Sequence, residues 1–259
     1  RLDPDRAKNL ALWQEMPQIA DFQYLADLNG PSLVSYPLRL DGRWQIDWEG
    51  LENAVTEKTR ALVAVHPNNP TGSCVDQKSL EGLRGFCRAN RLVLIADEVF
   101  AEYRFPDEMD PAGTSDRIPP SLLGSDEVLT FVLGGLSKWM GLPQMKLAWI
   151  AASGPEKLLD DALERLEVIA DTFLSVNSPV QHAFCRWFQS AQSIQTQIRD
   201  RVAANRRFLI EALRSSRWQL LPSDGGWSAV LHRADIRDEE AWVSTLLERK
   251  RLFVHPGFL

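Results

Sequence analysis

An amide, a carboxylate and a primary amine each stand just after a short apolar run rich in Val, Ile and Leu. The amide is that of Asn69 in the stretch HPNNPTG, the carboxylate belongs to Asp97, and the amine belongs to Lys138 in the stretch GGLSK. Ligands of open parallel sheets bind beyond the carboxyl ends of the strands, where loops present side chains without breaking the ladder. If the three runs are neighbouring strands, these three groups meet at one rim of the sheet.

Taken singly, each of the three residues has an ordinary structural explanation. An asparagine before proline usually forms a turn, and an acidic residue after a strand is about as often a helix cap as a ligand. A lysine on a loop is mostly solvated surface. Asp97 differs because it follows LVLIA, which predicts burial, and a buried carboxylate is costly without a cationic partner. The convergence of the three groups therefore indicates a binding site.

This set of groups suits the chemistry of pyridoxal phosphate. Its aldehyde takes a lysine amine as a Schiff base, its pyridine nitrogen needs a carboxylate to stay protonated, and its phosphate needs cations and backbone N–H groups. Lys138, Asp97 and a second cation, Lys146, can meet these needs, and Asn69 can donate to the phenolic oxygen of the ring. The prolines of HPNNPTG then have a role, since they end a strand and aim an amide into a cleft.

Four apolar runs predict the strands that position these residues, namely 61–65, 92–96, 128–133 and 147–152. Their apolar character on both faces is typical of parallel strands covered by helices. Between the first two runs, apolar residues recur at helical spacing and predict the helix of a βαβ unit. These residues are Leu80, Leu83, Phe86 and Cys87. The pattern indicates the α/β fold class.

The pattern changes in the second half of the chain. Helices are predicted from about 154 to 174, from 180 to 214 as one helix or two, and from 238 to 249. The stretch WQLLPSDGGWSAVLHR predicts a hairpin, and LFVHP is strand-like. We place a domain boundary near residue 195. It divides the chain into a large domain, residues 1–194, and part of a smaller α+β domain, residues 195–259.

Composition excludes several classes of function. The 259 residues carry a net charge of −6 with a pI near 5.3, which argues against nucleic acid and anionic membranes as partners. No apolar run approaches the ~20 residues of a membrane helix. Three cysteines without CxxC spacing indicate a reducing, cytoplasmic compartment, and four histidines without paired spacing predict no metal site. No G-x-G-x-x-G follows a strand, so a dinucleotide-binding domain is disfavoured.

The sequence resembles the class I/II aminotransferases, which are fold-type I enzymes that use pyridoxal phosphate. The likeness is carried, from about Phe22 to the end, by ALVAVHPNNPTG, LIADEVFAEY, GLSKWMGLPQMKLAWIAASGP, DTFLSVNSPVQ and LFVHPG, in the family's order. The resemblance implies a mostly parallel, seven-stranded sheet with helices on both faces. It implies transfer of an amino group between an amino acid and a 2-oxo acid, with Lys138 as Schiff-base lysine and proton shuttle. By the same resemblance Asp97 partners the pyridine nitrogen, Asn69 donates to the ring hydroxyl, and the Asn69–Pro70 peptide is cis.

The sequence also departs from the family's pattern. Phe100 stands where many relatives have a tyrosine whose hydroxyl assists Asn69, and Lys146 stands where an arginine commonly forks the phosphate. Ile19 falls where an aromatic ring would stack on the cofactor. Residues 1–21 are atypical, and the family's phosphate-seating loop and carboxylate-binding arginine are absent. We therefore expect a fragment of a longer polypeptide, with Phe100 and Lys146 still at the cofactor.

Two alternatives share the same scaffold. One is a truncated or decayed relative that has lost its chemistry and acts as an interaction module, and the other is a pyridoxal-phosphate-dependent lyase. The resemblance further implies a homodimer in which SVNSPVQ lies near the neighbouring subunit's site.

Overall fold

A computed structural model of the chain describes residues 10–14, 20–105, 118–236 and 238–257, with side chains from residue 23 onward. The strands in this part of the chain are β1 (Leu10–Gln14), β2 (Ser32–Tyr36), β3 (Leu38–Asp41), β4 (Arg43–Ile46), β5 (Thr59–Val65), β6 (Val93–Asp97), β7 (Thr130–Gly135), β8 (Ala148–Ser153), β9 (Gln219–Leu220) and β10 (Leu231–His232). The helices are α1 (Ala20–Asn29), α2 (Trp48–Ala54), α3 (Gln77–Asn90), α4 (Leu136–Trp139), α5 (Glu156–Phe173), α6 (Ser178–Leu213) and α7 (Glu239–Lys250). Short 3₁₀ turns lie at Ala101–Tyr103 and Pro143–Met145.

A mixed, mostly parallel sheet forms the centre of the fold. Its order is β2-β1-β5-β6-β7-β8, and every neighbouring pair is parallel except β7 and β8. The predicted parallel direction of the fourth apolar run, now β8, is wrong. Residues 136–147, which join β7 to β8, hold only the one-turn helix α4 and a 3₁₀ turn, whereas a parallel return needs a crossover that usually carries a full helix. The described residues supply six strands to this sheet, and the predicted seventh strand stays a prediction.

The helix α3 covers the centre of the sheet as its apolar stripe predicts. Asp76 caps its first turn by accepting from the Ser79 N–H at 2.8 Å, and Arg91 ends it in the left-handed conformation. Leu80, Leu83 and Cys87 are buried in one cluster with side chains of β5 and β6. Each such apolar side chain contributes about 1.5–3 kcal/mol when fully buried, so this face fixes the βαβ unit that carries the strand ends.

The second half of the chain is dominated by one long helix. The stretch predicted as one helix or two is a single helix, α6, and residues 194 and 195 lie inside it. The domain boundary at 195 stays a prediction that would fall within a continuous helix. The predicted hairpin is present as the antiparallel pair β9 and β10. LFVHP is not a strand, because Arg251 caps α7 and the Leu252 N–H bonds back to the Leu246 carbonyl.

Part of the segment 1–21 belongs to the central sheet. Residues 10–14 form β1, which lies between β2 and β5. Ile19, expected at the face of the cofactor ring, lies outside the described residues. Within the ranges that the structure describes, no helix is both long and apolar enough to cross a membrane.

Candidate functional site

The ends of three neighbouring parallel strands lie at one edge of the sheet. Val65 at the end of β5 pairs with Asp97 at the end of β6, and Asp97 pairs with Leu133 near the end of β7. The chain leaves β5 into HPNNPTG and leaves β7 directly into α4, which contains Lys138. The predicted convergence of these strand ends is therefore present in the fold.

The end of β7 packs closely against β8 just before the turn that carries Lys138. A Cβ atom on Gly134 would lie 2.4 Å from Nε1 of Trp149, which crosses from β8. The Leu136 N–H donates to the Leu147 carbonyl at 3.0 Å, so the first residue of α4 is tied to the chain just before β8. A larger residue at position 134 would displace the indole ring of Trp149.

Asp97 and Lys138 interact electrostatically at this edge. Burial raises the pKa of the Asp97 carboxyl above its usual range, while the Val99 N–H, which donates to Oδ1 at 3.1 Å, and the positive charge of Lys138 act in the opposite direction. A desolvated carboxylate next to an ammonium group is stabilised only by such cationic or N–H partners. A further positive group at this site would therefore stabilise the charged form of the Asp97 carboxyl.

Two aromatic rings lie near the amine of Lys138. Its Nζ lies 5.5 Å from the ring centre of Phe100 and 5.6 Å from that of Trp227. The two rings contact each other edge to face, with centres 5.3 Å apart. Distances of this size place the ammonium within range of both π faces. Phe100 thus lies beside the lysine, although it has no hydroxyl to offer.

The two asparagines of the stretch HPNNPTG have different roles. Asn68 is buried and holds the turn, since its side chain accepts from the Thr71 hydroxyl at 2.8 Å and its N–H donates to the Ser73 carbonyl at 2.8 Å. Asn69 lies at the partly exposed edge, where its Oδ1 accepts from the Ser228 hydroxyl at 2.9 Å. This bond orients the amide, because it assigns the oxygen to one side and the NH₂ group to the other. The peptides His66–Pro67 and Asn69–Pro70 are both cis, as the resemblance implied for the second.

A segment of the C-terminal half is bonded to this stretch through backbone atoms. The N–H groups of Asp224 and Gly225 both donate to the Gly72 carbonyl, at 2.8 and 3.0 Å, and the Gly226 N–H donates to the Tyr103 carbonyl at 2.9 Å. The next residue, Trp227, is therefore held over the strand ends.

Lys146, the second cation predicted for the cofactor, lies at the surface. It follows the 3₁₀ turn Pro143–Met145 with a φ of 51° and is exposed. Within the part of the chain that the structure describes, Lys146 makes no hydrogen bond and no ion pair. Its expected role at the phosphate stays a prediction, as do the roles of Asn69, Asp97, Phe100 and Lys138 toward the cofactor.

Three residues at the site were not predicted from the sequence: Tyr103, Trp227 and Ser228. The sequence offers little indication of Trp227 and Ser228, because the glycine pair of DGG before them predicted only a hairpin. A double glycine also permits close approach of two backbone segments. This property would have predicted that the residues after it, Trp227 and Ser228, lie against another part of the chain. For metals, the described ranges contain no cluster of three or more His, Cys, Asp or Glu side chains that could hold an ion.

Comparisons with known proteins identify relatives of this chain. The family model described as aminotransferase class I and II matches residues 13–258. An alanine aminotransferase of Mycobacterium tuberculosis is 31% identical over an alignment of 243 residues that covers 89% of this chain and 53% of that protein. A glutamate-pyruvate aminotransferase of Escherichia coli is 25% identical over 228 residues, covering 88% of this chain and 52% of that protein. The chain thus spans about half the length of these relatives.

Solved structures share the fold. An alanine aminotransferase from Pyrococcus furiosus superposes with a TM-score of 0.80 at 20% identity, over 95% of this chain and 61% of that one. A tyrosine aminotransferase from Leishmania infantum gives a TM-score of 0.81 at 20% identity, over 97% of this chain and 61% of that one. The likeness extends from the sheet to the long helix and the hairpin. Together with the family match over nearly the whole sequence, it leads to one conclusion: the chain belongs to the class I and II aminotransferase family.

Proposed function

We propose that the protein transfers amino groups between an amino acid and a 2-oxo acid with pyridoxal phosphate as cofactor. The observation that carries the proposal is that the Lys138 amine and the desolvated Asp97 carboxyl lie at neighbouring strand ends, with two aromatic rings near the amine. Family membership supports the same function. A lyase or an inactive relative has no comparable observation in its favour.

The residues present fit the cofactor by the chemistry of their groups. Pyridoxal phosphate, when bound, supplies a carbonyl that an amine can attack and a ring that withdraws electrons from the substrate's Cα. Lys138 would provide that amine, and Asp97 would accept the N–H of the pyridine ring. A positive ring nitrogen would favour the charged form of the Asp97 carboxyl. It would therefore lower the pKa of Asp97, which burial raises. Asn69, oriented by Ser228, would donate to the ring hydroxyl.

Lys138 would also move the proton that the reaction requires. Once its amine is released, Nζ can take the proton from the substrate's Cα and return it on the cofactor side, which is general acid–base work for a primary amine held close to the reacting carbon. Phe100 and Trp227, whose rings lie next to that nitrogen, would limit its exposure to water.

The test is chemical trapping of the cofactor on the lysine. Incubation of the chain with pyridoxal phosphate, followed by borohydride and peptide mass spectrometry, is expected to place the reduced adduct on Lys138. The Lys138→Ala variant should lose both the adduct and any half-reaction with amino acids. Lys157, an exposed lysine on α5, gives the matched control, and Lys157→Ala should keep the adduct. An adduct that is spread over several lysines, or that persists in Lys138→Ala, would refute the assignment.

We further propose a cytoplasmic homodimer, on the strength of the family likeness. Its cysteines, Cys74, Cys87 and Cys185, are free thiols, which is consistent with a reducing compartment. Large apolar side chains on and after α5 are exposed, among them Val168 at 67%, Phe173 at 75% and Leu174 at 83%. An apolar face of this kind is compatible with burial against another subunit.

A further inference from the structure

The carboxyl end of α4, which carries Lys138, is held by a buried tyrosine hydroxyl. A helix leaves its last four carbonyls without partners inside the helix, and α4 has only four residues. The Leu136 carbonyl accepts from the Met140 N–H at 3.1 Å. The Tyr103 hydroxyl donates to the Lys138 carbonyl at 2.6 Å and lies 3.4 Å from the Trp139 carbonyl. The peptide group of Lys138 itself is therefore anchored by Tyr103.

Tyr103 is fixed on its other sides as well. Its side chain is buried, and its ring centre lies 4.9 Å from that of Trp227. Its carbonyl accepts from the Gly226 N–H at 2.9 Å, and its own turn follows β6, six residues after Asp97. Burial raises the pKa of Tyr103 to about 12, so the phenol stays protonated and remains a donor at neutral pH. A rigid side chain thus joins the end of β6, the lysine turn and the C-terminal segment.

We propose that Tyr103 is a positioning residue whose hydroxyl fixes the α4 turn and so keeps the Lys138 amine next to the rings of Phe100 and Trp227 and at the same edge of the sheet as Asp97. The proposal rests on the proposed function of Lys138. It adds that the Tyr103 hydroxyl holds the turn that carries this lysine. The chain has no hydroxyl at position 100 and has one at position 103, where it acts on the backbone of the lysine.

A second tyrosine provides a matched control. Tyr36 is fully buried, and its hydroxyl donates to the Val63 carbonyl in β5 at 3.1 Å. Tyr36→Phe and Tyr103→Phe each remove one buried hydroxyl that bonds a main-chain carbonyl. Of the two tyrosines, only Tyr103 contacts the turn that carries Lys138. An effect of positioning is therefore expected in Tyr103→Phe alone, whereas a general loss of stability would affect both variants.

The experiment measures how readily the Lys138 amine reacts in the chain without cofactor. Reductive methylation with formaldehyde and cyanoborohydride is followed by peptide mass spectrometry, and the rate at Lys138 is divided by the rate at exposed Lys157. We expect Tyr103→Phe to raise this ratio about threefold to tenfold, the factor that loss of one hydrogen bond corresponds to. Tyr36→Phe should leave the ratio unchanged. An unchanged ratio in Tyr103→Phe, or an equal rise in both variants, overturns the proposal.

A second measurement covers the case in which Tyr103→Phe does not fold. Replacing the chain's three tyrosines by 3-fluorotyrosine keeps every hydroxyl and makes each a stronger donor. Amide hydrogen exchange in residues 136–142 should then slow, and an unchanged exchange rate counts against the role of Tyr103. Because neither measurement uses pyridoxal phosphate, both can fail while trapping on Lys138 succeeds, and trapping can fail while both succeed.

Discussion

The Asp97 carboxyl lies at the end of β6, and burial raises its pKa despite the Val99 N–H and the charge of Lys138. A raised pKa in the folded state means that the fold binds the proton more tightly than the unfolded chain does. The protonated Asp97 carboxyl contributes its full stability below pH 3.8, the pKa of the carboxyl in the unfolded chain. This contribution is lost as the pH rises through the pKa of the folded state. Asp97 therefore costs stability at neutral pH in the chain without cofactor.

Asp97→Asn is expected to stabilise the cofactor-free chain at pH 8. The amide keeps an oxygen for the Val99 N–H and removes the desolvated charge, so urea unfolding should show a higher free energy of unfolding than in the wild-type chain. The gain should shrink toward zero at pH 4, where the wild-type carboxyl takes up its proton. The same variant should lose retention of pyridoxal phosphate, since the ring nitrogen has no carboxylate partner.

An exposed aspartate controls for the change in net charge. Asp126→Asn also removes one negative charge from a chain of net charge −6, but at a solvated position. Its stability should change little, as is usual for surface substitutions. Equal stabilisation by both variants would show that the effect comes from overall charge and not from the burial of Asp97.

At the scale of elements, the stretch after β5 is held by a buried histidine. His66 accepts from the Val75 N–H through Nδ1 at 3.0 Å, and its Nε2 lies 3.3 Å from the Pro119 carbonyl, so the neutral ring with a proton on Nε2 satisfies both contacts. Burial, with a smaller effect of the Arg104 charge, lowers the pKa of His66 to about 4. The turn that presents Asn69 therefore depends on a neutral imidazole.

Acid is expected to loosen this turn through His66. Its folded pKa of about 4 lies below the unfolded value of 6.5, so the unfolded chain binds more protons between these pH values and stability falls as the pH is lowered through them. The full difference corresponds to about 3 kcal/mol. Urea unfolding from pH 7.5 to 4.5 should show this fall in the wild-type chain and a flatter dependence in His66→Gln. His182, an exposed histidine, supplies the control, and His182→Gln should keep the wild-type dependence.

The elements differ in how far the sequence could predict them. The stripe of α3 and the apolar runs of β5, β6 and β7 are local patterns, and they were sufficient to bring Asp97 and Lys138 to one edge. The direction of β8 depends on the short connection before it, and apolar composition is the same for either direction. The strand β1 lay in a segment without a recognised motif, so its place in the sheet could not be assigned.

At the scale of the whole molecule, the site is completed by residues far apart in sequence. Ser228 bonds Asn69 across 159 positions, and the Cys74 N–H donates to the Asp224 carboxylate across 150. Such pairings leave no periodic trace in a single sequence. Trp227 and Ser228 therefore could not be predicted to lie at the site, whereas the position of Lys138 after an apolar run is a local pattern. The backbone bonds between Gly72 and residues 224–225 are the joint that brings them together.

Gly72→Ala should break this joint. A Cβ at position 72 would lie 2.2 Å from the Gly225 carbonyl oxygen, and the φ of +69° is one that alanine adopts only with strain. Strained backbone of this kind costs about 1–3 kcal/mol, so urea unfolding should show a loss of at least that size. Amide exchange should rise in residues 224–226, because their N–H groups lose the Gly72 and Tyr103 carbonyls.

Gly85 separates the effect of the contact from that of adding a methyl group. It lies within α3, and a Cβ there meets nothing within 4 Å. Gly85→Ala should stabilise the chain by about 0.5–1 kcal/mol, because alanine lowers the entropy of the unfolded chain and favours the helix. If Gly72→Ala proves as stable as Gly85→Ala, the close approach of Gly72 to Gly225 does not hold in solution. Trp227 and Ser228 would then be free to leave the strand ends, and Lys138 and Asn69 would have to be positioned without them.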